Sequence, residues 1–312
     1  MSDRLQEAES FGSAGGSVAL TVSAPAKINL FLHVVGRRRD GFHLIQSLFA
    51  FASFGDQLTV SADCELKLEL EGPFSHNLEA KNNLVLKAAV ALAQAANLDN
   101  PGAKIRLCKN LPVAAGIGGG SADAAAALHA LQDIWQVQTT NHEVLQLALE
   151  LGADVPACYV GQPVIVSGIG EEMKPYEHLP NVPLIVVNPG RKMRTSQVFA
   201  AFREQAPTFS KQMPDSLIRD GIDIWDLLSR TRNDLEIVVS RLAPRVKNCL
   251  QAISKTSQCR LARMSGSGAC CFGLYDDQQS ARLAAEEIKS LYPSWWVQTG
   301  HIQGTVEQGN GR

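Results

Sequence analysis

The hydrophobic pattern opens with strands. Leu20 and Val22, then Ile28, Leu30 and Leu32, fall at alternate positions between Ala19 and Val35, with Pro25 as a break between the two sets. Arg37–Gly41 is a charged turn. His43–Phe54 is apolar-rich and meets a Gly-Asp stop at Gly55 and Asp56, after which Leu58–Val60 and Leu66, Leu68 and Leu70 resume strand alternation. The Ala- and Leu-rich run Asn83–Ala96 predicts a helix. Ile105 and Leu107 mark a short strand, and His142–Leu151 a helix stopped at Gly152. Beyond about Gly170 come a strand at Leu184–Val187 and helices near Thr195–Glu204, Ile222–Leu228 and Leu235–Ile253. Strands at Arg260–Met264 and Cys270–Tyr275 flank a glycine turn at Ser265–Gly268. A helix at Ser280–Leu291 and a strand at Trp295–His301 follow, an order that suggests a split βαβ sheet. The elements predict an α+β fold with a domain boundary in the 170–185 region.

One stretch breaks the pattern. In LPVAAGIGGGSADAAAALHAL, residues 111–131, four glycines fall within Gly116–Gly120 and exclude regular structure there. Ser121 reads as a helix N-cap, Asp123 suits the positive end of a helix, and Ala124–Ala127 are strong helix formers. Strand, glycine loop and helix in that order form a phosphate cradle: glycines let several backbone N–H groups converge, and the helix adds its free amides and dipole. A plain flexible loop capped onto an Ala-rich helix is the other reading. The Walker A pattern fails because Ser121, not Lys, follows the last glycine, and the dinucleotide pattern fails because Ser121 fills its third glycine slot. Asp123 places negative charge near bound phosphates, which requires a cation such as Mg²⁺ or an outward rotamer.

Composition narrows the classes. With 45% hydrophobic residues the chain can bury a sizeable core, and a net charge of −2 gives no basic surface for nucleic acid. Seven cysteines without C-x-x-C spacing, and seven histidines outside any H-E-x-x-H pattern, argue against a structural zinc site or a disulfide framework. No apolar run is long enough to span a bilayer, and the polar segment Met1–Gly16 reads as a flexible tail (1–19) rather than a secretory signal. These features place the chain in the cytoplasm.

PVAAGIGGGSADAAAAL resembles the phosphate-binding motif of the GHMP kinases, P-x-x-x-G-[LI]-G followed by small residues and Ser, in a form with three consecutive glycines. APAKINLFLHV (24–34), DGFHLIQS (40–47), GADVPACY (152–159), RTSQVF (194–199), RNDLE (232–236) and RMSGSGACCFGLY (263–275) resemble further segments of the same family, in the same order. The resemblance implies two domains, 20–178 similar to ribosomal protein S5 domain 2 and 179–312 ferredoxin-like. It implies ATP with Mg²⁺, and phosphorylation of the 2-hydroxyl of a cytidine diphosphate-linked methylerythritol in the non-mevalonate isoprenoid pathway. No nucleic-acid or membrane partner is implied, and the chain would be a monomer or weak homodimer.

By the same resemblance the ATP phosphates would lie on Pro112, Val113, Ala114, Ala115, Gly116, Ile117, Gly118, Gly119, Gly120, Ser121 and Ala122. Asp154 would be the general base and Lys27 the charge stabiliser. His43 would hydrogen-bond the cytosine, with Phe42 and Phe199 stacked on its two faces, Thr195 reaching the cytidine and Asn29 facing the substrate beside Lys27. Phe42 stands where tyrosine is commoner, so a phenolic contact is lost. Each residue also has a plainer reading: an edge-strand lysine at Lys27, helix N-caps at Asp154 and Thr195, and buried aromatics at Phe42, His43 and Phe199. Homoserine- or mevalonate-type kinases, a non-catalytic nucleotide-binding protein and a dinucleotide dehydrogenase are the alternative functions.

Overall fold

The structure, a computed structural model, describes residues 19–76, 78–205, 208–214 and 222–305. The tail expected over 1–19 lies outside the described residues apart from its last position. The chain forms two compact units. Among the described residues the first takes 19–26, 54–113 and 118–160, and the second 27–53, 114–117 and 161–305. Strands β1 (Ala19–Arg37) and β2 (His43–Ser61) each contribute to both.

In the first unit, β3 (Leu66–Glu71) pairs parallel with β4 (Ala103–Cys108), which pairs antiparallel with the C-terminal part of β2, Gln57 opposite Cys108 and Ser61 opposite Lys104. The strand does not stop at Gly55-Asp56 as the sequence suggests. A Cβ on Gly55 would sit 2.0 Å from the Ala24 carbonyl oxygen, so this glycine serves a close crossing of β1, not a turn. β1 likewise runs through Pro25, whose fixed φ suits extended backbone.

Helices α1 (Leu84–Ala95), α2 (Gly119–Ile134), α3 (Asn141–Leu151) and α4 (Val155–Val160) complete this unit. Asn83 caps α1 through Val85 N–H at 2.9 Å, and Thr140 and Glu143 form a capping box on α3. α2 packs against both α1 and α4, and the small alanines from Ala122 to Ala130 permit that close approach, leaving the helix buried along most of its length.

In the second unit the N-terminal part of β2 pairs with β5 (Val164–Ser167), which continues to β6 (Glu172–Pro175). β2 also pairs with the last strand, β10 (Trp296–Gln303), through Ala52 and Ile302. β10 lies antiparallel to β7 (Val182–Asn188), β7 to β9 (Cys271–Tyr275), and β9 to β8 (Cys259–Met264). β9 and β10 are therefore parallel with β7 between them, joined by α9 (Gln278–Leu291): the expected split βαβ.

α5 (Thr195–Glu204) and α6 (Ile224–Ser229) precede α7 (Glu236–Leu242) and α8 (Pro244–Lys255). The single helix expected over Leu235–Ile253 is thus divided. Pro244 lacks the N–H that would continue α7 and disfavours helical backbone at Ala243, so it opens α8 instead. The apolar faces of α8 and α9 cover the sheet, with Val246, Ile253, Ala281 and Ile288 closing on Ile185, Val187 and Val297. Among the described residues no helix is long and apolar enough to cross a membrane.

Candidate active site

The glycine loop is built on alternation. Ala114, Gly116 and Gly118 have φ of 53°, 79° and 65°, while the residues between them keep ordinary negative φ. Alternation of positive with negative φ can turn successive N–H groups toward one side, the pattern of anion-binding nests. Gly118 in this left-handed conformation is the N-cap of α2, and Ala122 N–H donates to its carbonyl at 2.9 Å. Ser121, expected as the cap, is instead the third helical residue. The amides of Gly119, Gly120 and Ser121 are thereby the unpaired donors of the first turn. A Cβ on Gly120 would meet nothing within 4 Å, so the turn opens onto free space. That geometry fits a polyphosphate, whose charge the helix terminus favours.

Beneath this turn, in the first unit, lies a buried ionic cluster. The Lys109 ammonium bridges Asp56 and Asp123, donating to Asp123 Oδ2 at 2.6 Å and to Asp56 Oδ2. Asp56 Oδ1 accepts the backbone N–H of Asn110 at 2.6 Å and of Leu111 at 2.8 Å. Asp123 thus finds its cation in the protein, and its side chain turns inward. Burial pushes Asp123 up to about 8, against the attraction of Lys109 and with the Asp56 carboxylate adding to the rise. Burial also works against the charge on Lys109, but its two acidic neighbours, Asp123 and Asp56, outweigh it and hold the ammonium above its ordinary range.

Asp154 directly precedes α4, and its carbonyl accepts the Cys158 N–H at 3.1 Å. It therefore does begin a helix, with a half-buried side chain.

The second unit carries Lys27. Its ammonium donates to Asn29 Oδ1 at 2.9 Å and rests 4.1 Å from the Phe49 ring centroid. Asn29 Nδ2 donates to Ser47 Oγ at 2.9 Å, and Ser47 donates to the Phe31 carbonyl. Both amide groups of Asn29 are therefore engaged inside the protein, and the pair Lys27–Asn29 is buried. The same strand grips the loop: Lys27 N–H donates to the Ile117 carbonyl at 2.9 Å.

The second glycine turn packs against Gly116. A Cβ on Gly116 would lie 2.5 Å from the Ser265 carbonyl oxygen and 2.8 Å from Gly268 N. Ser265 Oγ accepts from Asn29 N–H at 3.1 Å and donates to the Gly116 carbonyl at 2.9 Å, while Cys270 N–H donates to Ala115 at 2.9 Å. Asn233 holds the turn from the other side through the carbonyls of Met264 and Gly266, both at 2.8 Å.

Also in this unit, His43 stacks on Phe199 with centroids 5.1 Å apart. Burial, then Arg37 and Arg203, lower the pKa of His43, which favours a neutral ring. Phe42 is 60% exposed, so it is no core residue. Thr195 is the first residue of α5 after the N-cap Arg194, and its hydroxyl pairs with Ser267 Oγ at 2.9 Å. The N-cap reading of Thr195 therefore gives way to a side-chain tie to the glycine turn.

Sequence reasoning passed over Asp56, Lys109, Ser47 and Ser265. A signal existed for Lys109: continuing the in–out alternation of β4 from Ala103, Ile105 and Leu107 puts it on the buried face, where a lysine requires partners.

Known proteins share this fold. The family models for the GHMP kinases N terminal domain and the GHMP kinases C terminal match residues 83–162 and 218–294. A 4-diphosphocytidyl-2-C-methyl-D-erythritol kinase of Paramagnetospirillum magneticum is 45% identical over 280 residues, covering 89% of this chain and 97% of that protein. A protein of the same name from Chelativorans sp. is 44% identical over 91% of this chain and 97% of its own length. A crystal structure of 4-(cytidine 5'-diphospho)-2C-methyl-D-erythritol kinase superposes with a TM-score of 0.76 at 34% identity, covering 91% of this chain and 99% of that one. The homoserine kinase of Cytophaga hutchinsonii, at 18% identity and a TM-score of 0.68 over 95% of this chain and 99% of that one, shares the fold. With both family domains matched and relatives this similar over nearly its whole length, the chain belongs to the GHMP kinases, ATP-dependent enzymes that phosphorylate small molecules.

Proposed function

We propose that this kinase transfers the γ-phosphoryl group of ATP to the 2-hydroxyl of 4-diphosphocytidyl-2-C-methyl-D-erythritol, a step of the non-mevalonate route to isoprenoid precursors. The relatives named for this substrate support the reading. The geometric observation that carries it is the exposed Phe42 next in sequence to the His43–Phe199 stack. An exposed aromatic beside a neutral imidazole suits a flat, hydrogen-bonding base. Homoserine and mevalonate offer no ring to such a platform.

Residues divide the work as follows. The nest at Ala114–Gly118 and the amides of Gly119–Ser121 hold the phosphates, and Pro112, Val113 and Ala122 frame them. Asp154 takes the proton of the acceptor hydroxyl as its oxygen bonds to the γ-phosphorus and the bond to the β-γ bridging oxygen breaks. Lys27, fixed by Asn29 and Phe49, offsets charge on the transferring group. His43, Phe42, Phe199 and Thr195 position the cytidine. Mg²⁺ accompanies ATP. Among the described residues no group of three or more His, Cys, Asp or Glu side chains is arranged to hold a metal ion. Seven cysteines without C-x-x-C spacing suit a reducing, cytoplasmic setting.

The test is to supply ATP, Mg²⁺ and the cytidine substrate and identify the product by mass, with homoserine and mevalonate in parallel ADP-release assays. A product one phosphoryl group heavier, with little ADP from the other acceptors, supports the assignment. Faster turnover of homoserine or mevalonate overturns it.

A further inference from the structure

We propose that the Asp56–Lys109–Asp123 cluster is a positioning device for the phosphate-gripping turn, holding the first residues of α2 in place while presenting no net charge to the ATP phosphates. The inference rests on the reading of Gly118–Ser121 as the phosphate site. The cluster lies directly under that turn. A Cβ on Gly119 would stand 3.4 Å from Asp56 Oδ2 and 3.5 Å from Lys109 Nζ, and Asp123 follows Gly119 by one helical turn. The three residues are 1–3% exposed.

Lys109 is itself tightly held. Its N–H donates to Glu71 at 2.8 Å and its carbonyl accepts from Phe74 at 3.1 Å. A Cβ on Gly72, at φ 90°, would come within 2.8 Å of its backbone. The ammonium therefore sits at a fixed point between β2 and α2, and a displaced Lys109 would release the helix terminus it anchors.

The charge balance completes the device. Two carboxylates and one ammonium carry a net negative charge if all are ionised, directly below the place where an anion binds. Asp56 uses its oxygens only as acceptors, from two backbone amides and Lys109, the pattern of a carboxylate. Asp123 differs: its Oδ1 is buried with no hydrogen-bond partner. The Asp123 side chain also meets that of Asp56, and two carboxyl groups in hydrogen-bond contact share one proton; it resides on Asp123, which lacks the two backbone donors that favour the anion at Asp56. Lys109 and Asp56 are the charged groups that face it, and together they then cancel. Loss of that proton would restore the negative charge below the phosphates and weaken ATP binding.

The experiment measures KM for ATP and kcat across neutral to alkaline pH, with melting temperature as the folding control. The wild-type KM for ATP should rise by roughly three- to tenfold as pH passes through the alkaline range, and Asp123→Asn should lose that rise. Lys109→Met should raise KM for ATP by about tenfold or more with a smaller effect on kcat, and Lys109→Arg should recover part of the loss. Parallel pH profiles for wild type and Asp123→Asn would overturn the proposal, and if Lys109→Met does not fold that comparison alone decides. Gly120→Ala separates the underlying reading, because its added methyl fills only the open space over the turn. If it leaves KM for ATP unchanged, the phosphate site lies elsewhere and the proposal falls with it. If it raises KM while Asp123→Asn tracks the wild type, only the cluster proposal fails.

Discussion

The Ser265 hydroxyl donates to the carbonyl of Gly116, joining two glycine turns that lie far apart in sequence. The same oxygen accepts the Asn29 N–H, so one side chain links the loop to the strand that carries Lys27. Replacing Ser265 with Ala leaves a buried N–H and a carbonyl unmatched. The expected cost is about 1–3 kcal/mol of stability, with a raised KM for ATP, measured by chemical unfolding and steady-state kinetics. An unchanged unfolding midpoint would mean that the backbone contacts suffice.

Gly116 and Gly120 should respond differently to alanine. At Gly116 a methyl group meets backbone at 2.5 Å and the φ of 79° strains any L side chain, so Gly116→Ala should lower both stability and activity sharply. Gly120→Ala meets nothing and should melt close to wild type while losing affinity for ATP. A comparison of melting temperature with KM for the two variants checks the contrast.

This difference shows what was legible beforehand. The run of glycines announced a cradle, but which glycine the packing demands and which the ligand demands depends on Ser265 and Gly268, distant in the chain. The strand and helix periods of β3, β4, α1, α3, α5 and α9 were plain because each buries one face. The break at Ala243–Pro244 was visible in composition yet hidden by an amphipathic pattern that continues across it. Asp56 looked like a strand stop because a Gly-Asp pair favours turns locally, and only its long-range partner Lys109 explains its burial. Thr195 and Ser121 both suited helix caps by residue type, but Arg194 and Gly118 took those positions.

Asp154→Asn tests the proposed base. It removes a proton acceptor while keeping size, so kcat should fall by about a hundredfold or more with KM for ATP little changed. Nearly intact turnover would remove Asp154 from the mechanism.

Asp123 should also write itself into the stability curve. Its folded value of about 8 lies above the ordinary 3.8, so the native state binds this proton more tightly than the unfolded chain. Stability from this group is present in acid and is lost as pH climbs between those two values. Urea midpoints should fall with rising pH across that window, and Asp123→Asn should flatten the fall. A wild-type curve rising throughout the window and unaltered by the substitution would contradict it.

Phe42→Ala should raise KM for the cytidine substrate by roughly tenfold while sparing KM for ATP, since an exposed ring removed from the surface costs little folding energy. Equal effects on both substrates would place Phe42 outside the base-binding surface.

Two strands serve both compact units, and each unit is assembled from three separated stretches of chain. No single cut therefore yields a fragment containing one unit whole and free of the other. A nick after Val160, where the last helix of the first unit ends, would divide the second unit between the two pieces. Synthesis from the N-terminus must accordingly hold β2 with part of its pairing unmet until β10 emerges to close against Phe51 and Ala52.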